Sequence, residues 1–141
     1  MKSTSSAVEI AGAVNSTQTS AHSVTVETLG RIEANNGRVN AFTETLSERA
    51  LAAAIVVDAQ VKTGKALPLA GVPFAVKNLY DIRGVTTRAG SKINRDRPPA
   101  DRDATLIGRL EAAGAICVGA TNMDEYAYGF TGENAHAGPV H

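Results

Sequence analysis

Apolar residues recur along this chain at two spacings, helical in the first half and strand-like in the second. Ala7, Ile10, Ala11 and Val14 fall at positions i, i+3, i+4 and i+7, which puts them on one face of a short helix. Ser6-Ala7-Val8-Glu9 opens that helix as a capping box, with hydroxyl and carboxylate each satisfying an amide left free at the start. Asn15 to Thr19 stop it, and residues 1 to 5 ahead of it are polar and expected to fray. Ser20 then caps a second helix carrying Val24, Leu29 and Ile32 and ended by Asn35-Asn36-Gly37. Val39 to Thr45 reads as an edge strand anchored by Phe42. Thr45-Leu46-Ser47-Glu48 is a second capping box, opening an alanine-rich helix through Ala50, Ala53, Ala54, Val57 and Val61 to Gly64. Apolar helix faces of this kind most often pack on their own domain.

From Leu67 the pattern changes to short apolar runs between turn signals. Thr63 to Pro68 is a loop joining the helices to a sheet, and Gly71 and Pro73 punctuate the entry to a buried strand, Phe74 to Val76. Asp81 to Gly84 makes a turn, and a polar loop follows with Thr86, Thr87, Gly90, Ser91, Pro98 and Pro99. Asp101 or Asp103 caps the next helix, whose stripe is Leu106, Ile107, Leu110 and Ala113 and whose end is Gly114. Ala115 to Gly119 is a second buried strand, so residues 73 to 119 form a βαβ unit expected to be parallel and right-handed. Asp124 and Glu125 suit the start of a short helix near Met123, and residues 129 to 138 form a loop. The fold class is α/β, divided as an amino-terminal helical layer over residues 1–66 and an α/β core over 67–141.

Composition narrows the function classes. With 141 residues the chain can hold one domain with a real core. Fourteen basic and 14 acidic residues balance, so no overall field draws it to nucleic acid or a membrane surface. The loop from Arg83 to Arg102 is locally basic, but acids are interleaved and no aromatic ladder accompanies them, which argues against a nucleic-acid partner. No apolar run reaches the roughly 18 residues of a membrane span, and the first 25 residues lack the apolar stretch of a signal peptide, so a cytoplasmic protein with no membrane partner is expected. Cys117, the only cysteine, lies between Ile116 and Val118 and reads as a buried small hydrophobe. His22, His136 and His141 show no ligand spacing, and no dinucleotide or phosphate-binding glycine motif is present, so neither a metal nor a cofactor is expected.

The candidate chemistry centres on Lys77. It ends an uncharged run from Leu67 to Val76 and sits at the carboxyl end of its strand, the edge of an open α/β sheet where ligands gather. Lysine acts as a base only when neutral, and burial favours that form. The alternative is a strand-terminal lysine with its stem on apolar surface and its ammonium in water. Because parallel neighbours share a carboxyl end, Asn122, Met123, Asp124 and Glu125 should come within reach of Lys77.

Leu69 to Asn78, Gly84-Val85-Thr86-Thr87 with Ala89-Gly90-Ser91, Asp103-Ala104 with Arg109-Leu110 and Ala113-Gly114-Ala115, and Thr121-Asn122-Met123-Asp124-Glu125-Tyr126-Ala127 together resemble the first third of an amidase-signature hydrolase. Lys77-Asn78-Leu79-Tyr80-Asp81-Ile82 and Tyr128-Gly129-Phe130-Thr131-Gly132-Glu133-Asn134 look most like the branch acting on biuret-type compounds such as 1-carboxybiuret; many other members have Asp where Asn78 stands. The resemblance implies a fragment of a larger mixed sheet, in which residues 67–141 are the first part of an incomplete core. It implies that Lys77 is the lysine of a Ser-Ser-Lys triad, acting on a small-molecule amide, with Met123, Asn122 and Asp124 forming one wall of the substrate site. It further implies that both serines and the oxyanion donors lie after residue 141, that the chain alone is inactive, and that a small helical partner subunit is open to the complete protein. Ser91 falls outside the triad. The competing expectation is non-enzymatic: a truncated product that binds a partner through its amino-terminal helices, or one with no function.

Overall fold

The computed structural model describes residues 5–141, so the expectation for residues 1 to 4 lies outside the described range. Helix α1 spans Ala7–Asn15 and opens on the capping box read from the sequence: Glu9 N donates to Ser6 Oγ at 3.3 Å, and Ser6 N donates to the Glu9 carboxylate at 2.7 Å. Helix α2, Ala21–Val39, begins at Ser20, whose hydroxyl accepts from Ser23 N at 3.0 Å. Asp58 adds a cap that no local pattern announces, accepting from Ala21 N at 2.7 Å and His22 N at 3.1 Å.

α2 runs past Asn35-Asn36-Gly37 and ends at Asn40, which takes a left-handed conformation at φ 52°. Asparagine tolerates that region, and the stop falls three residues later than the sequence suggests. Asn36 has a different use. Its side chain donates to Phe42 O at 2.9 Å and accepts from Phe42 N at 2.8 Å, standing in for a neighbouring strand at the start of β1, Phe42–Thr45. β1 therefore starts at Phe42 rather than Val39. Thr45 makes no capping box, because its backbone belongs to the strand opposite Gly119; α3, Ser47–Lys62, starts after Leu46 with no side-chain cap.

β2, Pro73–Lys77, and β3, Ile116–Thr121, are parallel, and the connection between them carries α4, Thr105–Ala112. The sheet order is β1-β3-β2, with β1 antiparallel to β3, giving a small mixed sheet whose two outer strands keep open edges. Alternate faces of β3 serve two cores. Ile116 and Val118 pack with Val14, Val24, Ala54 and Val57 from the helices, while Cys117 and Ala120 pack with Val76, Ile82, Val85 and Ile107. Burial raises the Cys117 thiol above its ordinary pKa, as expected of an inert core cysteine. Of the stripe expected on α4 only Ile107 is fully buried, and Leu106 is 46% exposed.

Neither Asp101 nor Asp103 caps α4, which starts after Ala104 without a side-chain bond. Asp103 instead accepts from Arg49 at 2.9 Å and from Arg83 N at 2.8 Å, and Arg49 also donates to Glu111 at 2.9 Å, clamping α3 to α4. Burial opposes the Asp103 charge, but the Arg49 and Arg83 hydrogen bonds outweigh it and hold the carboxyl below its ordinary range. A depressed pKa of this kind stabilises the fold above the unfolded carboxylate's pKa of about 4, and the contribution is lost as pH falls below that value. Arg49→Ala is expected to cost about 1–3 kcal/mol at pH 7, and the gap from wild type should narrow at pH 3. Urea unfolding at both pH values measures this; an equal gap at the two would remove the ion pairs as its source. Among the described residues no helix is long and apolar enough to cross a membrane.

Candidate active site at the carboxyl end of the sheet

Parallel pairing brings Lys77 opposite Thr121, and Asn78 N donates to Thr121 O at 3.3 Å just beyond. Lys77 thus lies beside the segment Thr121 to Asp124 as the strand order requires. Its side chain is exposed and has no hydrogen-bond or ion-pair partner among the described residues. Of the two readings of Lys77, the one with its ammonium in water is the one seen among the described residues, because β2 is an outer strand and the apolar run packs inward, ending with Val76 at 8% exposure.

Three buried asparagines build the floor around this edge. Asn78 accepts from Arg88 N through Oδ1 at 2.6 Å and from Ala89 N through its carbonyl at 2.7 Å, drawing the polar loop onto the end of β2. Asn122 accepts from Met123 N at 2.8 Å and donates to Asn40 O at 3.2 Å and Gly138 O at 3.0 Å. Asn134 donates to Gly90 O and Met123 O, each at 2.8 Å, and accepts from His136 N and Ala137 N. Both main-chain polar groups of Met123 are therefore engaged within the protein. Gly90 is required here: its φ is +70°, and a Cβ would stand 2.9 Å from Asn134 Nδ2 and 3.0 Å from Met123 O.

Asp124 is buried and accepts from Gly132 N at 3.3 Å, turned toward the last loop. The helix expected near Met123 is one 3₁₀ turn, Glu125–Ala127, with Tyr126 at φ 53°. Sequence patterning does not single out Asn134, which lies in a stretch expected to be loop. Its cue is weak, a single amide-bearing residue among glycines, since its importance comes from acceptors 11 and 44 residues away.

A cleft of about 250 Å³ opens on this floor, with Asn78, Ser91, Thr121, Asn122 and Met123 on its walls and Arg88 and Lys92 at its side. Lys77 and Asp124 are not on its walls. Ser91 behaves as the turn residue the sequence suggests, accepting from Ile93 N at 3.4 Å ahead of the 3₁₀ turn Lys92–Asn94. Among the described residues no group of His, Cys, Asp and Glu is placed to hold a metal.

The family model described as Amidase matches residues 23–141. AtzE of Pseudomonas sp. (strain ADP), which belongs to a 1-carboxybiuret hydrolase, is 56% identical over 134 residues, covering 94% of this chain and 29% of that protein. A glutamyl-tRNA(Gln) amidotransferase subunit of Salinispora tropica is 49% identical over 138 residues, covering 96% of this chain and 28% of that protein. A solved structure described as a vestigial protein complex bearing on the origins of an s-triazine catabolic enzyme, with inhibitor bound, superposes with a TM-score of 0.94 at 55% identity, covering 96% of this chain and 30% of the other. Native peptide amidase from Stenotrophomonas maltophilia superposes with a TM-score of 0.85 at 26% identity, covering 98% and 30%. The chain spans less than a third of the length of these relatives.

Proposed function

Because the chain belongs to the amidase-signature family, we propose that it supplies the base-bearing, amino-terminal part of a hydrolase that cleaves a C–N bond of a small amide or biuret-like substrate. The observation that carries this reading is the position of Lys77, without a partner among the described residues, at the carboxyl end of β2 beside the main chain of Thr121 and Asn122. The similarity to a 1-carboxybiuret hydrolase supports the biuret-like branch.

In the proposed reaction a serine attacks the amide carbon. Its proton passes through a bridging cis-configured serine to neutral Lys77, and the relay returns it to the departing nitrogen as the C–N bond breaks. Water then hydrolyses the acyl-enzyme by the same route in reverse. Both serines and the oxyanion donors come from a Gly/Ser-rich segment outside these residues, and that segment also covers Lys77, supplying the desolvation that β2 alone does not. Asn122 and Met123 form the adjoining substrate wall, and Asp124, turned toward the last loop, fixes the course of the chain behind it. The scheme uses no cofactor, and it accommodates a small helical partner subunit.

The test is ammonia release by the complete protein carrying Lys77→Ala. Loss of turnover supports the reading and unchanged turnover rejects it. The 141-residue chain alone is expected to release no ammonia.

A further inference from the structure

Tyr126 stands in a costly backbone conformation against the loop that walls the cleft. Its φ is 53° and that of Ala127 is 57°, a left-handed pair without a glycine, where a bulky side chain is an outlier. Burial does not offset the cost, since Tyr126 is 53% exposed. What the conformation secures is two bonds to one loop. Tyr126 N donates to Ala89 O at 2.8 Å, and the phenolic oxygen accepts from Asn94 Nδ2 at 2.8 Å. Ala89 is left-handed too, at φ 50°, and leads into Gly90 at φ 70°.

A second cost falls at the same point. Asn94 is 1% exposed, and its Nδ2 is shared between Arg88 O at 3.0 Å and the Tyr126 hydroxyl, so that Oδ1 is buried with no hydrogen-bond partner among the described residues. Turning the amide over would set its oxygen against the Arg88 carbonyl, so the contacts fix the orientation. Buried polar atoms are nearly always satisfied, and left-handed residues other than glycine gather where function over-determines the chain.

The loop held in this way forms part of the cleft. Arg88, Gly90 and Ser91 line it, while Arg88 N and Ala89 N are fastened to Asn78, the residue after Lys77. Tyr126 is not itself on the walls. We propose that Tyr126 is a positioning residue: with Asn94 it clasps the wall from Arg88 to Ser91 onto the segment leaving β3, and so fixes the substrate cleft relative to Lys77. The clasp joins the chain leaving β2 to the chain leaving β3, the two strands whose carboxyl ends frame the site. Its kinetic consequence rests on the proposed amidase reading, whereas the clasp does not.

The test uses the complete protein, with biuret as the hydrolysed probe and amide hydrogen exchange as a readout independent of turnover. Tyr126→Phe removes only the hydroxyl, and loss of that one bond is expected to raise KM about threefold to tenfold with kcat within about twofold. Tyr126→Gly suits the left-handed backbone and relieves its strain, so the urea midpoint should hold or rise. The side-chain bond is then lost and the backbone bond loosened, and KM should rise at least about tenfold. In the same variant the Arg88 and Ala89 amides should exchange at least about tenfold faster while those of α3 keep their rates. A tyrosine with only a structural duty would lower stability and leave KM alone. Unchanged KM in both variants overturns the proposal, and so does unchanged exchange at Arg88 and Ala89. If the wild-type protein releases no ammonia from biuret, the biuret-like reading is what fails, and exchange alone decides the clasp: faster exchange supports it and unchanged exchange overturns it.

Discussion

Replacing Lys77 by alanine in the complete protein is expected to lower kcat/KM by at least about 10⁴-fold, the scale on which single members of a nucleophile relay act. Stability should move by no more than about 1.5 kcal/mol, the scale of one lost hydrogen bond, because the side chain bonds to nothing among the described residues and the covering segment would lose only its relay contact. Those two expectations belong together. A lysine that held the sheet edge in place would lose activity and stability in parallel, whereas a base loses activity alone. Lys77→Arg sharpens the distinction: the guanidinium keeps the positive charge and much of the length but cannot release its proton, so it should be as inactive as alanine. Recovery by arginine would mean that charge, not proton transfer, is the contribution of Lys77. Turnover of Lys77→Ala within tenfold of wild type would remove the base from the scheme altogether.

What the sequence makes legible is what periodicity and local chemistry encode. The α1 capping box, the Ser20 cap, the parallel βαβ pairing and the buried Cys117 all follow from patterns a few residues long. The departures share one cause: polar residues whose sequence context suggests local duties are taken by distant partners. Asn36 holds Phe42 instead of ending α2, and Asp103 answers Arg49 and Arg83 instead of capping α4. Asp58 caps α2 from another helix. Lys77 stands where the pattern puts it along its strand, yet its exposure depends on the order β1-β3-β2, which leaves β2 at an edge. A run of apolar residues fixes which side of a strand is covered, not whether a further strand or segment closes its end. The site follows the same division. Its lysine is readable, while the asparagine floor that shapes the cleft consists of contacts between segments far apart in the chain.

The sharpest packing constraint lies on the central strand. A Cβ at Gly119 would stand 2.5 Å from Glu44 O and 2.8 Å from Phe42 Cδ1. Both belong to β1, whose register with β3 slips between Phe42 and Glu44, so that the bulge draws the backbone over the missing side chain. Gly119→Ala must push β1 outward, and a carbonyl cannot yield as a flexible side chain does. The expected cost is about 3 kcal/mol or more by urea unfolding, at the upper end for overpacked positions. The damage should reach the site, because Asn122 is tied to the chain leading into β1 through Ala41 O at 2.8 Å and Asn40 O at 3.2 Å. Gly30→Ala is the matched control, since a Cβ there meets nothing within 4 Å inside α2 and alanine should stabilise the helix by up to about 1 kcal/mol. If both substitutions prove equally mild, β1 does not ride against Gly119, and the floor beneath Asn122 must be held by the loops alone. If only Gly119→Ala is costly, the glycine is the position at which fold and site are set by the same contact.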